Sequence, residues 1–334
     1  MKITLVIDSL LPALLYGGTQ RVVWALGKAL AGMGHDITML CARGSSVPFA
    51  RTVGIDPSRP LAAQIPADSD VVHFQDSVPE DIVLPYIVTI NGNRVRLTEE
   101  QRKFSVYVSR NHALRNGCRA FVYNGLDWEA YPVTSGAIPP MDSRRGFHFL
   151  GKAAWRVKNV KGAINVALNV DRKSTLEVLG GDRLNFKMGF RFTLSPRIHF
   201  HGMADDSLKT KVISASRGLI FPVRWEEPFG LAVTESLYLG APVFATPYGS
   251  LPELVTPEVG YLTASSSDMA THIREQGAGY DPVRCHEYAA DLFGSRTMAE
   301  KYLKYYEEVI NGHPLNPCHE PLKSDGRIEK LYWE

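Results

Sequence analysis

The sequence predicts an α/β protein of two domains, each a parallel sheet with helices on both faces. Three observations predict it. The chain has 334 residues, more than one ordinary hydrophobic core holds. In both halves short apolar strands alternate with helical segments, the pattern of a covered parallel sheet. Around residues 128–146 that pattern gives way to prolines and small residues without periodicity, which marks a linker. The expected domains are residues 1–140 and 141–310. The tail, 311–334, is rich in prolines and polar residues and is read as irregular, packing back on the first domain.

The elements follow in order. Ile3–Ile7 is a strand, Thr19–Gly32 a helix, and Gly34–Leu40 a turn and second strand. Asp70–Phe74, Tyr86–Ile90 and Val106–Ser109 are further strands, the last leading into a helix at about Arg110–Gly117. In the second half Phe147–Leu150 is a strand and Val160–Leu168 lies in a helix. Thr175–Leu179, Ile198–Phe200, Gly218–Phe221 and Pro242–Ala245 are strands, and Ser295–Ile310 is a helix that ends at Gly312.

Composition narrows the function. Hydrophobic residues at 45% and charged residues at 22% are those of a soluble globular protein. A net charge of +2 gives no global electrostatic case for nucleic acid. No apolar run is long enough to span a bilayer, and the N-terminal apolar stretch stops at Asp8, so it reads as a strand and not a signal peptide. Cys41, Cys118, Cys285 and Cys318 have no metal-ligand spacing and read as reduced thiols of a cytoplasmic protein.

The most informative pair is Glu227 and Glu235, in Arg224-Trp-Glu-Glu-Pro-Phe-Gly-Leu-Ala-Val-Thr-Glu235. Gly218–Pro222 before them reads as a buried strand, and Leu231–Leu239 after them as a helix entered through Pro228-Phe229-Gly230. Glu227 thus sits in a strand-to-helix loop and Glu235 within the helix, at the strand end where α/β sheets bind ligands. Ionised carboxylates there accept strong hydrogen bonds from a polyhydroxylated ligand. Taken alone, the pair would favour the plainer reading of acids that complement a helix dipole.

The surrounding segments decide between these. Ser236–Thr246 and Pro247–Val255 continue the acidic core, Gly17-Gly18 follows the first strand, and Tyr123-Asn-Gly-Leu-Asp127 precedes the linker. Leu150-Gly151-Lys152 with Lys161-Gly162 opens the second domain, and Phe200-His201-Gly202 closes a later strand. In this order and spacing they resemble the retaining glycosyltransferases of family 4, spread over most of the chain. The resemblance implies the GT-B fold, two Rossmann-like domains facing each other across a deep cleft. It implies transfer of a sugar from a nucleotide diphosphate sugar to a hydroxyl acceptor, with retention at the anomeric carbon and without metal or other cofactor. The donor is expected to be a UDP-sugar ahead of a GDP-sugar. The acceptor class stays open among glycans, lipid-linked saccharides and small natural products.

By the same resemblance, Glu235 holds the ribose hydroxyls and Glu227 faces the donor sugar. The amides of Phe229, Gly230 and Leu231 lie closest to the sugar and phosphates, where Gly230 permits close approach and the helix start offers N–H groups to an anion. Lys152 and Lys161 neutralise the leaving diphosphate, with Lys158 an open alternative to Lys161. Lys152 stands where the family usually has arginine, so the bidentate fork is lost. Gly17 and Gly18 point their amides at the β-phosphate. Asn91, in Val88-Thr-Ile-Asn-Gly92, stands where the family has a histidine that contacts the donor sugar; asparagine hydrogen-bonds but carries no proton.

His73 ends a strand on the ligand side and is a candidate for acceptor contact or proton handling, against the commoner structural role. His199 and His201 share a strand face and are read as structural. Arg94, Arg96, Arg102, Lys103, Arg110, Arg115 and Arg119 make the first domain locally basic, a surface for peripheral contact with an anionic membrane at the inner face, or simply a solvated one. Two rivals stay open: a sugar-nucleotide 2-epimerase of the same fold, and a nucleotide-sugar-binding protein impaired at Asn91. A nicotinamide-dependent oxidoreductase is the weakest, since three spaced glycines are missing.

Overall fold

The computed structural model describes residues 1–13, 17–94, 96–131, 133, 135–182, 195–317 and 329–334. The chain forms two compact units, Met1–Asp127 with Phe293–Arg327, and Trp128–Leu292 with Ile328–Glu334.

The first unit holds β1 (Lys2–Ile7), α1 (Gly18–Gly32), β2 (Asp36–Cys41), β3 (Arg51–Gly54), β4 (Val71–Gln75), β5 (Tyr86–Ile90), α2 (Glu99–Arg102), β6 (Ser105–Tyr107) and α3 (Arg110–Arg115). Its strands are parallel in the order β3-β2-β1-β4-β5-β6. Leu5, Met39, Val72 and Val88 are fully buried, as expected of strands covered on both faces. α1 turns Val22, Leu26 and Leu30 inward at helical spacing. Gly27 keeps it close to the sheet: an added Cβ would press on Leu5, Met39 and Phe49.

The second unit holds β7 (Phe147–Leu150), α4 (Val160–Val170), β8 (Leu176–Leu179), β9 (Ile198–Phe200), α5 (Asp206–Ala215), β10 (Leu219–Phe221) and α6 (Leu231–Tyr238). β11 (Val243–Ala245), α7 (Leu251–Leu254), β12 (Gly260–Leu262), α8 (Ser266–Gln276) and α9 (Pro282–Leu292) complete it. Its parallel order is β12-β11-β10-β7-β8-β9. Counted within each unit, both sheets have the doubly wound order 3-2-1-4-5-6. The winding reverses between β1 and β4 in one and between β7 and β10 in the other, and the crevice beyond the strand ends at such a reversal is the ligand position.

Two expectations about the domains are corrected. The division falls at Asp127/Trp128, so the segment read as a linker is packed into the second unit. The helix Ser295–Ile310 belongs to the first unit, although it follows the second in sequence. Its buried face carries Met298, Tyr302, Tyr306 and Val309, and the two tyrosine hydroxyls bond to side chains of β4 and β5. Gly125 lets its start come close, since a Cβ there would overlap the carbonyl of Gly294. The tail divides as well. Asn316 accepts from the amides of Arg119 and Ala120 and donates to the carbonyl of Ser105, in the first unit. Leu331 exchanges bonds with Arg224, backbone to backbone at 2.9 Å and guanidinium to carbonyl at 2.7 Å, in the second.

Among the described residues no helix is long and apolar enough to cross a membrane. Cys41, Cys118 and Cys285 are free and buried; Cys318 lies outside the described residues.

Candidate functional site

At the reversal of the second sheet, the loops after β7 and β10 bring their polar residues together. After β7 the chain forms a short 3-10 turn, Arg156–Lys158, and then Asn159 adopts a left-handed conformation (φ 55°), which asparagine tolerates. The Asn159 side chain caps α4 by accepting from the amide of Gly162, and it donates to the carbonyl of Pro222 in the loop after β10. That cross-tie sets Lys158 against Glu227, with Nζ 2.6 Å from Oε2. The Trp225 indole N–H donates to the same oxygen at 2.7 Å. The Lys158 ammonium also lies over the rings of Phe221 and Trp225, at 5.1 and 5.0 Å. Lys158 and Glu227 are only 12% and 7% exposed, so the two charges depend on each other.

Lys152, two residues beyond β7, is exposed, with its ammonium 5.5 Å from the ring centre of Trp155. Lys161 is exposed on α4. Of the two lysines left open in sequence, Lys158 is the one in contact with Glu227.

The loop after β10 is braced by the one after β11. Glu226 accepts from the amide of Gly249 at 2.7 Å, the carbonyl of Glu227 accepts from the amide of Ser250 at 2.9 Å, and the Ser250 hydroxyl donates to the carbonyl of Phe229. Gly249 (φ 63°) lies so near that a Cβ would overlap the backbone N and O of Glu227. Gly230 (φ 105°) is the N-cap of α6, and Phe229 is buried beside it. The amides of Gly230 and Leu231 have no partner among the described residues, so they remain able to meet an anion. Glu235 lies on α6, where its Oε1 accepts from Lys209 Nζ at 2.9 Å and from the Tyr131 hydroxyl.

In the first unit, Gly17 caps α1 and Gly18 opens it, at the C-terminal end of β1 beside the sheet reversal. His73 is corrected. It is buried, with Nδ1 2.8 Å from the Tyr306 hydroxyl and Nε2 2.7 Å from Thr89 Oγ1, which in turn meets the Tyr302 hydroxyl at 2.8 Å. Burial lowers its pKa to about 3. It is a neutral core residue, and it holds the C-terminal helix.

Asn91 follows β5. Its amide donates to Asp76 Oδ1 at 2.7 Å and its side chain to Gln75 Oε1 at 2.9 Å. Asp76 is the residue that sequence reasoning passed over. It ends β4 at the reversal with φ 60°, and a Ser77 N–H to Gln75 carbonyl bond of 2.8 Å closes a tight turn around it. A non-glycine residue in that region is strained, and such strain gathers at functional positions. Burial raises the pKa of its carboxyl, against the lowering effect of bonds from Asn91 and Gly92. Trp225, Tyr131 and Lys209 were also missed. Only Trp225 had a signal, its place two residues before Glu227.

His199 and His201 share a face and both meet Glu177, at 2.7 and 2.6 Å. The basic surface of the first unit is corrected too: Arg102 is fully buried, bonded to Glu99 and to the carbonyl of Asn116, and exposed Glu99 and Glu100 interrupt the rest. Among the described residues no three His, Cys, Asp or Glu side chains gather as metal ligands.

Residues 144–276 match the family model described as Glycosyl transferases group 1. No curated protein matches the chain. Among solved structures it resembles AviGT4, a glycosyltransferase involved in avilamycin A biosynthesis, with TM-score 0.75 and 21% identity over 93% of this chain and 98% of that one. It also resembles sucrose-phosphate synthase from Thermosynechococcus elongatus, with TM-score 0.70 and 17% identity over 93% and 99%. HepE of Anabaena, in complex with UDP and glucose, aligns with TM-score 0.66 and 16% identity over 92% and 99%. At such identities the likeness establishes the fold: two six-stranded Rossmann-like units of GT-B type, the second carrying the group 1 match.

Proposed function

We propose that the protein is a retaining glycosyltransferase that moves a sugar from a nucleotide diphosphate sugar to a hydroxyl acceptor, without a metal ion. One observation carries this reading. Within the segment that matches the group 1 model, two buried acids eight residues apart stand at one helix start, each paired with a lysine.

In this reading Glu235 accepts from the ribose and Glu227 faces the donor sugar. Breaking the glycosidic bond puts negative charge on the β-phosphate. Lys158, Lys152 and the amides of Gly230 and Leu231 stabilise it, and fixed donors in a partly dry site are the stronger for it. The acceptor oxygen bonds to the anomeric carbon as the phosphate leaves, and its proton passes to that phosphate, so no protein base is required. The acceptor is assigned to the first unit, where Asp76 and Asn91 end adjacent strands. The complex of HepE with UDP and glucose supports trying UDP-sugars first.

The test is a panel of uridine, guanosine and adenosine diphosphate sugars, with binding and nucleotide release followed together. Binding of one donor that Glu235→Ala abolishes supports the reading, and NMR of the product reports its anomeric configuration. A donor converted without any acceptor would instead indicate an epimerase. Failure to bind any donor defeats the proposal.

A further inference from the structure

The carboxylate of Glu235 is held by residues from two other segments of its unit. Lys209, on α5, donates to Oε1 at 2.9 Å, and Tyr131, from the segment read in sequence as a linker, donates its hydroxyl to the same oxygen. The Lys209 and Glu235 side chains are each 7% exposed, so water does not replace this pairing. Lys209 also meets Asp206 at 2.6 Å and lies 6.0 Å from the centre of the Tyr131 ring. Tyr131 is placed in turn by Trp128, which meets it edge-on at 5.7 Å and stacks flat on Tyr238 at 4.0 Å.

An sp² oxygen has two lone pairs, and Oε1 already receives two donors. The plane of the carboxylate is thereby fixed. A ligand hydroxyl meets a group of one orientation, and the cost of ordering that group is met before the ligand arrives.

We propose that Lys209 is the positioning residue of the nucleoside site: by holding Glu235 Oε1 it orients the carboxylate toward ribose and makes recognition depend on an intact 2′,3′-diol. This rests on the glycosyltransferase reading above. A site oriented to hydrogen-bond a hydroxyl binds the analogue that lacks it less tightly, because that bond is not made. Without Lys209 the carboxylate turns or takes up a proton, and a deoxyribose is penalised no more than a ribose.

Calorimetry on the full chain with UDP, GDP and ADP, each beside its 2′-deoxy counterpart, tests this. The wild type is expected to bind its preferred ribonucleotide at least about tenfold more tightly than the deoxy form. In Lys209→Met the two should fall within about twofold, and Lys209→Arg should recover part of the preference. Tyr131→Phe, which keeps the ion pair and removes the second donor, should lower the ratio partway and serves if the methionine variant does not fold. A merely structural Lys209 would weaken both nucleotides together and leave their ratio unchanged, which overturns the proposal. So does a wild type that binds both forms equally. A wild type that binds no nucleotide removes the glycosyltransferase reading itself, and the proposal with it.

Discussion

The Nδ1 of His73 lies 2.8 Å from the hydroxyl of Tyr306, a residue 233 positions further along the chain. This bond, with the one from Thr89 to Tyr302, ties the C-terminal helix to β4 and β5. Tyr306→Phe leaves a buried ring nitrogen without its partner. The expected loss is about 1–3 kcal/mol of stability, read by urea denaturation. Turnover at a temperature where the variant is folded should stay near wild type. A fall in turnover with unchanged stability would return His73 to the active site.

The buried histidines also set the response to acid. Burial is the main cause that lowers His73, His112 and His148 to about 3. In the unfolded chain they titrate near 6.5. The unfolded state therefore binds protons that the folded state refuses. The stability from neutral burial is complete above about pH 6.5 and is lost as pH falls from there toward 3, at roughly 1 kcal/mol per pH unit for each histidine. Thermal melts at pH 7, 5 and 4 should show a steep fall, and His148→Gln should flatten it. An equal slope in that variant would assign the acid sensitivity elsewhere.

Lys158 and Lys161 should separate cleanly. Lys158→Ala leaves the buried Glu227 carboxylate without its cation and, in the proposed reaction, removes a charge that stabilises the leaving phosphate. Turnover should fall by roughly 10²–10³, the scale of losing one oriented electrostatic contact. Lys161→Ala, on the exposed face of α4, should cost less than about threefold. Steady-state kinetics with the preferred donor decides, and comparable losses in both would place Lys161 at the phosphate as well.

Much of this architecture was legible from sequence, and the gaps have physical causes. Tyr86–Ile90, Phe147–Leu150, Ile198–Phe200 and Ser295–Ile310 fall where the apolar runs and helical spacing put them. β3, Arg51-Thr-Val-Gly54, is a short polar edge strand that is mostly exposed, so it carries no apolar signal. α8 buries only Met269, Ala270 and Ile273, too few to announce a helix. Periodicity showed that Ser295–Ile310 is a helix but not which sheet it covers, because the partners of Tyr302 and Tyr306 lie more than 200 positions away. Glu227 and Glu235 were readable because one loop and one helix place both. The choice between Lys158 and Lys161 was not, because the direction of Lys158 depends on the left-handed turn at Asn159.

Gly249→Ala tests the brace behind Glu227. Its φ of 63° disfavours alanine, and the new Cβ would overlap backbone that has no room to yield. Loss of roughly 1–3 kcal/mol is expected, together with weaker donor binding, because the displaced atoms belong to Glu227. Gly32→Ala, where nothing lies within 4 Å, is the control and should be neutral or stabilising by about 0.4–1 kcal/mol. Donor affinity unchanged in a folded Gly249→Ala would show that the loop position does not matter for binding.

Asp76→Asn should move stability and activity in opposite directions. The carboxyl pKa is raised in the fold, mainly by burial, so the ionised form is disfavoured there. The stability it contributes is present below its unfolded pKa and disappears as pH rises through the folded value. At pH 7 the native protein therefore carries a cost that asparagine removes. Asparagine also tolerates a φ of 60° and keeps an oxygen for the amide of Asn91. Melting temperature should rise at pH 7, and the gain should vanish near pH 3. If Asp76 binds the acceptor as a carboxylate, transfer should fall by about 10–100-fold, the value of a hydrogen bond to a charged group, while donor binding in the second unit stays the same. A structural residue would not behave so, since the change that relieves its strain would leave transfer unaffected. Stability that rises without any loss of transfer would make the turn at Asp76 a feature of the fold alone.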